Sequence, residues 1–176
     1  MTARPRDPMA GPSTATRTTE EPLPGARILI VEARYYGAIA DALLEGARRV
    51  LDAAGVEWDI VSVTGSLEVP QAVAIALEAP VHTRRLPFDG IVALGCVIRG
   101  ETSHYDIVAG ESARALMDLA VRHRVPIGNG IVTTDTHEQA ETRADPERGD
   151  KGGVAAAAVT SLIRVKRHLQ SPRSER

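Results

Sequence analysis

FDGIVALGCVIRGETSHYDIV, residues 88–108, decides how the rest of this chain is read. Its apolar half, residues 90–98, has the β-branched content of a strand buried on both faces. The run turns polar at Arg99-Gly100-Glu101-Thr102-Ser103, and from about His104 the apolar spacing becomes helical. In a chain that alternates strands and helices, ligands bind beyond the carboxyl ends of the strands, so this loop is the expected site. It carries a cation, two hydroxyls and an imidazole beside the unpaired N–H groups of a helix start. Such a start attracts anions, phosphate above all. A histidine there can move protons near neutral pH.

Working outward toward the N-terminus, residues 27–31 (RILIV) read as a first strand and residues 32–37 as its exit loop. The helix that follows carries Ile39, Leu43, Gly46, Val50 and Ala54 on one side, with Asp41, Glu45, Arg48 and Asp52 on the other. Gly55 supplies its stop. Residues 57–63 alternate as a second strand, residues 64–68 form the next loop, and Val69-Pro70 opens a short helix, QAVAIALE. Residues 79–87, basic and holding two prolines, read as a solvated connector.

On the C-terminal side, a helix to about Arg124 puts Val108, Ala115, Leu116 and Leu119 toward the core. Residues 125–133 are the fourth strand, and Asp135 or Thr136 caps a short helix, HEQAETRA. A breaker loop, 145–149, leads to a last helix over 154–169, whose Ala155–Ala158 run permits close approach of another element. Four strands alternating with helices call for a parallel sheet covered on both faces, with right-handed crossovers. Its two edges need shielding. Small helical faces favour self-association.

The bulk numbers bound the function. At 176 residues the chain suits one domain, spanning 25–170 between an N-terminal tail (1–24) and a frayed end (171–176). A formal charge of -2 gives no electrostatic basis for nucleic acid or an anionic membrane as partner. No apolar run approaches the ~20 residues needed to span a bilayer. The single cysteine, Cys96, sits inside an apolar strand and suits a reducing cytoplasm. The tail's Asp7, Glu20 and Glu21 argue against an organelle transit peptide. The first strand-helix turn lacks G-x-G-x-x-G, and no phosphate-binding G-x-x-x-x-G-K-[ST] occurs.

Among the candidate chemical groups His104 stands first, because of its place at a strand's carboxyl end. His82, His123 and His168 lack that setting. His137 and Glu141, four apart, read as an ion pair because no third metal ligand is near. Arg143 and Lys151 flank the breaker loop and are solvated cations unless an anion site faces them. Glu68 follows a turn, where it can bind hydroxyl or amine hydrogens or simply stabilise a helix start.

Taken together, these segments resemble one known family. Leu94 to Asp106 (LGCVIRGETSHYD) resembles the central signature of the lumazine synthases. The likeness continues in Gly65-Ser66-Leu67-Glu68-Val69-Pro70, in Gly130-Ile131-Val132-Thr133-Thr134-Asp135, and in Arg143 with Lys151-Gly152. It runs in one order from about residue 27 to 169. The resemblance implies a three-layer α/β sandwich of flavodoxin-like topology with a four-stranded parallel sheet. It implies condensation of 5-amino-6-(D-ribitylamino)uracil with 3,4-dihydroxy-2-butanone 4-phosphate to 6,7-dimethyl-8-ribityllumazine, with no metal or redox cofactor. By position, His104 matches the acid/base histidine, while Glu101, Thr102 and Arg143 match phosphate contacts. Lys151 matches a lysine near the pyrimidine, and Tyr35 the ring stacked on it. Ser66, Leu67 and Glu68, with Cys96, Val97 and Ile98, match contacts to the ribityl chain and ring. The family shares each site between neighbours in a ring of five, which implies a cytoplasmic homopentamer or a multiple of it.

The chain departs from the pattern at four places. Asn129 stands where a second ring-contacting aromatic is common, Leu67 replaces a frequent phenylalanine, and Glu101 replaces a small residue. The loop 145–149 lacks the glycine- and lysine-rich form of members that build sixty-subunit shells. Asn129 motivates an alternative, a non-catalytic flavin- or phosphate-binding scaffold of the same fold. A signalling module is disfavoured, since the first strand ends in one acid only, Glu32.

Overall fold

The computed structural model describes residues 21–83 and 88–171, without the side chains of residues 79–83. Strands β1 (Arg27–Ala33), β2 (Glu57–Val63), β3 (Gly90–Ile98) and β4 (Ile127–Thr134) form one parallel sheet of order β2-β1-β3-β4. Helices α1 (Gly37–Ala53), α4 (His137–Ala144) and α5 (Lys151–Gln170) cover one face, and α2 (Glu68–Thr83) and α3 (His104–His123) the other. The three-layer, flavodoxin-like α/β arrangement expected from the sequence is the one observed.

Strand alternation builds the two cores. Ile28 and Ile30 of β1 join Val92 and Leu94 of β3 against Leu43, Leu51 and Ile163. Leu29 and Val31 point the other way, with Ile91 and Ala93, onto Val69, Val73 and Leu116. β3 is buried from Gly90 to Val97, as its uninterrupted apolar run requires of a central strand. β2 is an edge strand and behaves differently. Each of its faces is only partly covered within one chain, by way of Trp58 and Val63, and Ile60 and Val61 are 40% and 43% exposed.

The helix boundaries follow local chemistry. Gly55, at φ 64°, ends α1, and Arg124 turns left-handed to close α3. On α3, Leu116 and Ser112 are buried while Val108, Ala115 and Leu119 are half-buried. Two boundaries differ from expectation. Helix α2 runs on through residues 79–83, where a connector was expected, because one missing proline N–H at Pro80 does not end it. Helix α5 begins at Lys151, earlier than its apolar spacing suggests, because the Asp150 carboxylate accepts the N–H of Gly153 at 3.0 Å and caps it. At the other end of the chain, Leu23 is buried and its N–H bonds the Ala54 carbonyl at 2.9 Å.

Close approach of α5 is what brings the back layer together. Gly152 lies against the Leu43 carbonyl of α1, and Gly128 of β4 against the Ala155 carbonyl, each with no room for a Cβ. We therefore expect Gly152→Ala to push α1 and α5 apart and to cost about 1–3 kcal/mol, as overpacking does. Urea denaturation checks this, and an unchanged midpoint would show the contact to be slack.

Candidate active site

The chain leaves β1 toward one side of the sheet and β3 toward the other, so a crevice opens beyond their carboxyl ends. There lies a cleft of about 640 Å³. Three loops wall it. The β1 exit gives Tyr35 and Tyr36, and the β2 exit gives Thr64 to Glu68. The end of β3 and the start of α3 give Cys96 to Ile98, Gly100, Thr102, His104, Tyr105 and Val108. Of the residues expected from the sequence, Tyr35, Ser66, Leu67, Glu68, Cys96, Val97, Ile98, Thr102 and His104 are thus brought together. Glu101 is exposed and outside the wall, and Asn129, Arg143 and Lys151 stand apart on β4, α4 and α5. The cleft also takes in Tyr36, Thr64, Gly65, Gly100, Tyr105 and Val108, which are not among the site residues expected from the sequence. Only the doubled tyrosine gave a signal.

The part of the cleft beside the β1 exit is aromatic and apolar. Tyr35 is 72% exposed, its ring set edge-on to Tyr36 with centroids 4.9 Å apart. Tyr36 is half-buried, touches the His137 ring at 5.8 Å, and has its phenol pKa raised mainly by burial. Cys96 is walled in, and burial pushes its thiol up to about 11. It is part of the wall, since a nucleophile needs its thiolate. Glu68 opens α2 after a turn closed by its own N–H to the Gly65 carbonyl at 3.1 Å.

The other part suits an anion. Among the described residues, the N–H groups of Gly100, Glu101, Thr102 and Ser103 have no hydrogen-bond partner within the chain. They precede α3, whose positive end adds to their pull. Arg99, the loop's own cation, turns elsewhere. Its Nε donates to Asp135 at 3.0 Å, one terminal nitrogen to Asp106 at 3.4 Å, and its plane covers the Tyr105 ring at 4.0 Å. Among the described residues that line the cleft, none is lysine or arginine.

The other two expected cations lie elsewhere, Arg143 on α4 and Lys151 at the start of α5, on backbone fixed by local contacts. The Thr136 hydroxyl accepts the N–H of Gln139 at 3.2 Å, and the Gln139 side chain accepts that of Asp135 at 3.0 Å, fixing the start of α4. After Arg143, Asp145 accepts the N–H of Glu147 at 2.8 Å and Nε of Arg148 at 2.6 Å, contacts that hold its carboxyl below the usual range. Lys151 then heads α5 beside its Asp150 cap. His137 pairs with Glu141 at 3.5 Å as expected, and no group of three or more metal-ligating side chains occurs among the described residues. On the open edge of β4, the side-chain Oδ1 of Asn129 accepts the N–H of Ile131 at 3.0 Å.

A family model described as 6,7-dimethyl-8-ribityllumazine synthase matches residues 25–167. The chain belongs to the 6,7-dimethyl-8-ribityllumazine synthase family. It is 53% identical over 161 residues to the protein so named from Rhodopseudomonas palustris (strain BisA53), covering 92% of this chain and 98% of that one. It is 58% identical over 147 residues to that of Azorhizobium caulinodans, covering 84% and 90%. With that of Afipia carboxidovorans the identity is 54% over 164 residues, covering 93% and 100%. Membership makes this chain a transferase of riboflavin biosynthesis. Cys96 is buried in the cleft wall, so its thiol should resist iodoacetamide at pH 7.5 while reacting freely in urea. Equal labelling rates, read by mass spectrometry, would contradict the buried setting.

Proposed function

We propose that the cleft binds 5-amino-6-(D-ribitylamino)uracil against Tyr35 and condenses it with 3,4-dihydroxy-2-butanone 4-phosphate. The products are 6,7-dimethyl-8-ribityllumazine, phosphate and water. The pyrimidine's amine adds to the ketone, a first water leaves to give an imine, and phosphate is eliminated. The ribitylamino nitrogen then adds to the remaining carbonyl, closing the ring with loss of a second water. His104 carries protons in these steps, a contribution of ~10²–10⁴-fold for a positioned acid/base group. Holding two substrates in register contributes more, ~7–11 kcal/mol in favourable cases. Thr102 and the open N–H groups from Gly100 to Ser103 hold the phosphate, and the side chain of Glu101 points away from it. Ser66, Leu67, Glu68, Cys96, Val97 and Ile98 contact the ribityl chain and ring.

One observation carries this reading: the cleft offers an imidazole and free N–H donors, but no cation for the leaving phosphate. Arg143, on α4, is exposed and Lys151, at the start of α5, is half-buried, and neither lines the cleft. We therefore place Arg143, Lys151 and Asn129 in the site of an adjacent copy, in a pentameric ring or a multiple of one. The exposed Ile60 and Val61 of edge strand β2, and the exposed Ile75, Met117 and Val121, support such neighbours. The cytoplasm suits a chain whose one cysteine is a buried free thiol. Among the described residues no helix is long and apolar enough to cross a membrane. The scaffold reading is not favoured, because the relatives that span this chain are named as synthases.

The test is to mix the purified protein with both substrates and follow lumazine absorbance. We expect His104→Ala to lower kcat by about 10²-fold with little change in KM for the phosphorylated substrate. Arg143→Ala should raise that KM. No turnover above the spontaneous reaction would favour the scaffold, and equal effects of both variants on phosphate use would overturn the division of roles.

A further inference from the structure

Glu32 is a buried carboxylate that the reaction does not use. It sits near the end of β1, 2% exposed, with its side chain turned to the α1 layer and away from the cleft. A charge so enclosed is costly unless fully paired, and this one is paired on two sides. The Ser62 hydroxyl of β2 donates to Oε1 at 2.8 Å, and one guanidinium nitrogen of Arg34 lies 3.1 Å from both carboxylate oxygens. The other terminal nitrogen of Arg34 donates to Asp41 on the first turns of α1. Backbone pairing runs alongside, since the Arg34 N–H bonds the Val63 carbonyl at 3.2 Å.

The three elements joined here lead directly to cleft walls. Arg34 precedes Tyr35 and Tyr36, and Ser62 lies two residues before Thr64. Tyr35 is 72% exposed and has no core contact of its own to fix it, apart from the edge of Tyr36. Its position therefore depends on the backbone between β1 and α1. We infer that Glu32 is a positioning residue: through Arg34 it clamps the β1 exit to β2 and α1, and so sets Tyr35 for the pyrimidine. The inference rests on Tyr35 being the ring that packs on that substrate. Arg34 suits the task because its rigid planar fork sets Glu32 and Asp41 in fixed directions, whereas a compact ammonium imposes no such geometry.

The test compares Glu32→Gln, Arg34→Lys, Tyr35→Ala and the double variant Glu32→Gln/Tyr35→Ala in the intact assembly, with melting temperatures recorded. Glu32→Gln and Arg34→Lys should each raise KM for the ribitylaminouracil roughly five- to twentyfold. That is well short of the ~100-fold that a 1 Å misplacement can cost at a reacting centre. Neither kcat nor KM for the butanone phosphate should move more than about twofold by the same reasoning. In the Tyr35→Ala background, Glu32→Gln should add nothing further. If Tyr35→Ala alone leaves the pyrimidine KM unchanged, the role given to Tyr35 fails and the inference with it. If Tyr35→Ala raises KM but Glu32→Gln and Arg34→Lys do not, only the positioning role fails. Additive effects in the double variant, or a loss of melting temperature and kcat with no selective KM change, would reduce Glu32 to a structural ion pair.

Discussion

A phosphate ester brings into its site a charge that water solvates strongly, and the protein must replace that solvation with donors and cations. The cleft of one chain meets half of this requirement. It supplies free N–H groups from Gly100 to Ser103 and the positive end of α3, but its described lining holds no guanidinium or ammonium. Arg99 cannot serve, because Asp135, Asp106 and the Tyr105 ring already engage it. On the proposed reading the missing charge arrives from a neighbouring copy, whose α4 and α5 carry Arg143 and Lys151. The proposed function thus makes self-association part of the site.

The fold serves this division. Two fully buried central strands, β1 and β3, fix the crevice at the point where the strand order reverses. The back layer fixes the cations. Gly152 lets α5 lie on α1, Asp150 caps α5, and Asp145 ties the loop that follows Arg143, with Glu147 of that loop also bonded to Arg49 of α1. Each tie is local, yet together they hold Arg143 and Lys151 in a set relation to the chain's own cleft without entering it. A rigid relation of that kind is what a closed ring of identical copies needs, since every seam repeats the same geometry.

Much of this was legible in the sequence for simple reasons. The run from Gly90 to Ile98 could only be a central strand, and the polar turn after it had to lie at a strand's carboxyl end. Local motifs placed nine of the expected site residues in one cleft, because each follows directly from a strand end. What was not legible depended on partners distant in sequence. Arg99 reads as a site cation until Asp135, thirty-six residues on, is seen to bind it. The burial of Glu32 depends on Ser62 from the neighbouring strand. The alternation of β2 suggests one covered face, but an edge strand takes its cover from whatever lies beyond the chain. Pro80 reads as a stop, although a helix already packed by Val69 and Val73 tolerates one absent N–H.

The most direct measurement is complementation between two damaged copies. Chains carrying His104→Ala and chains carrying Arg143→Ala would be co-expressed, so that mixed assemblies form, and turnover compared with each variant alone. If His104 of one copy works with Arg143 of the next, random mixing restores about a quarter of the sites, those in which both groups are intact. Activity near that fraction of the unmodified protein is the predicted result. Activity no greater than the average of the two variants would contradict a site built across the seam.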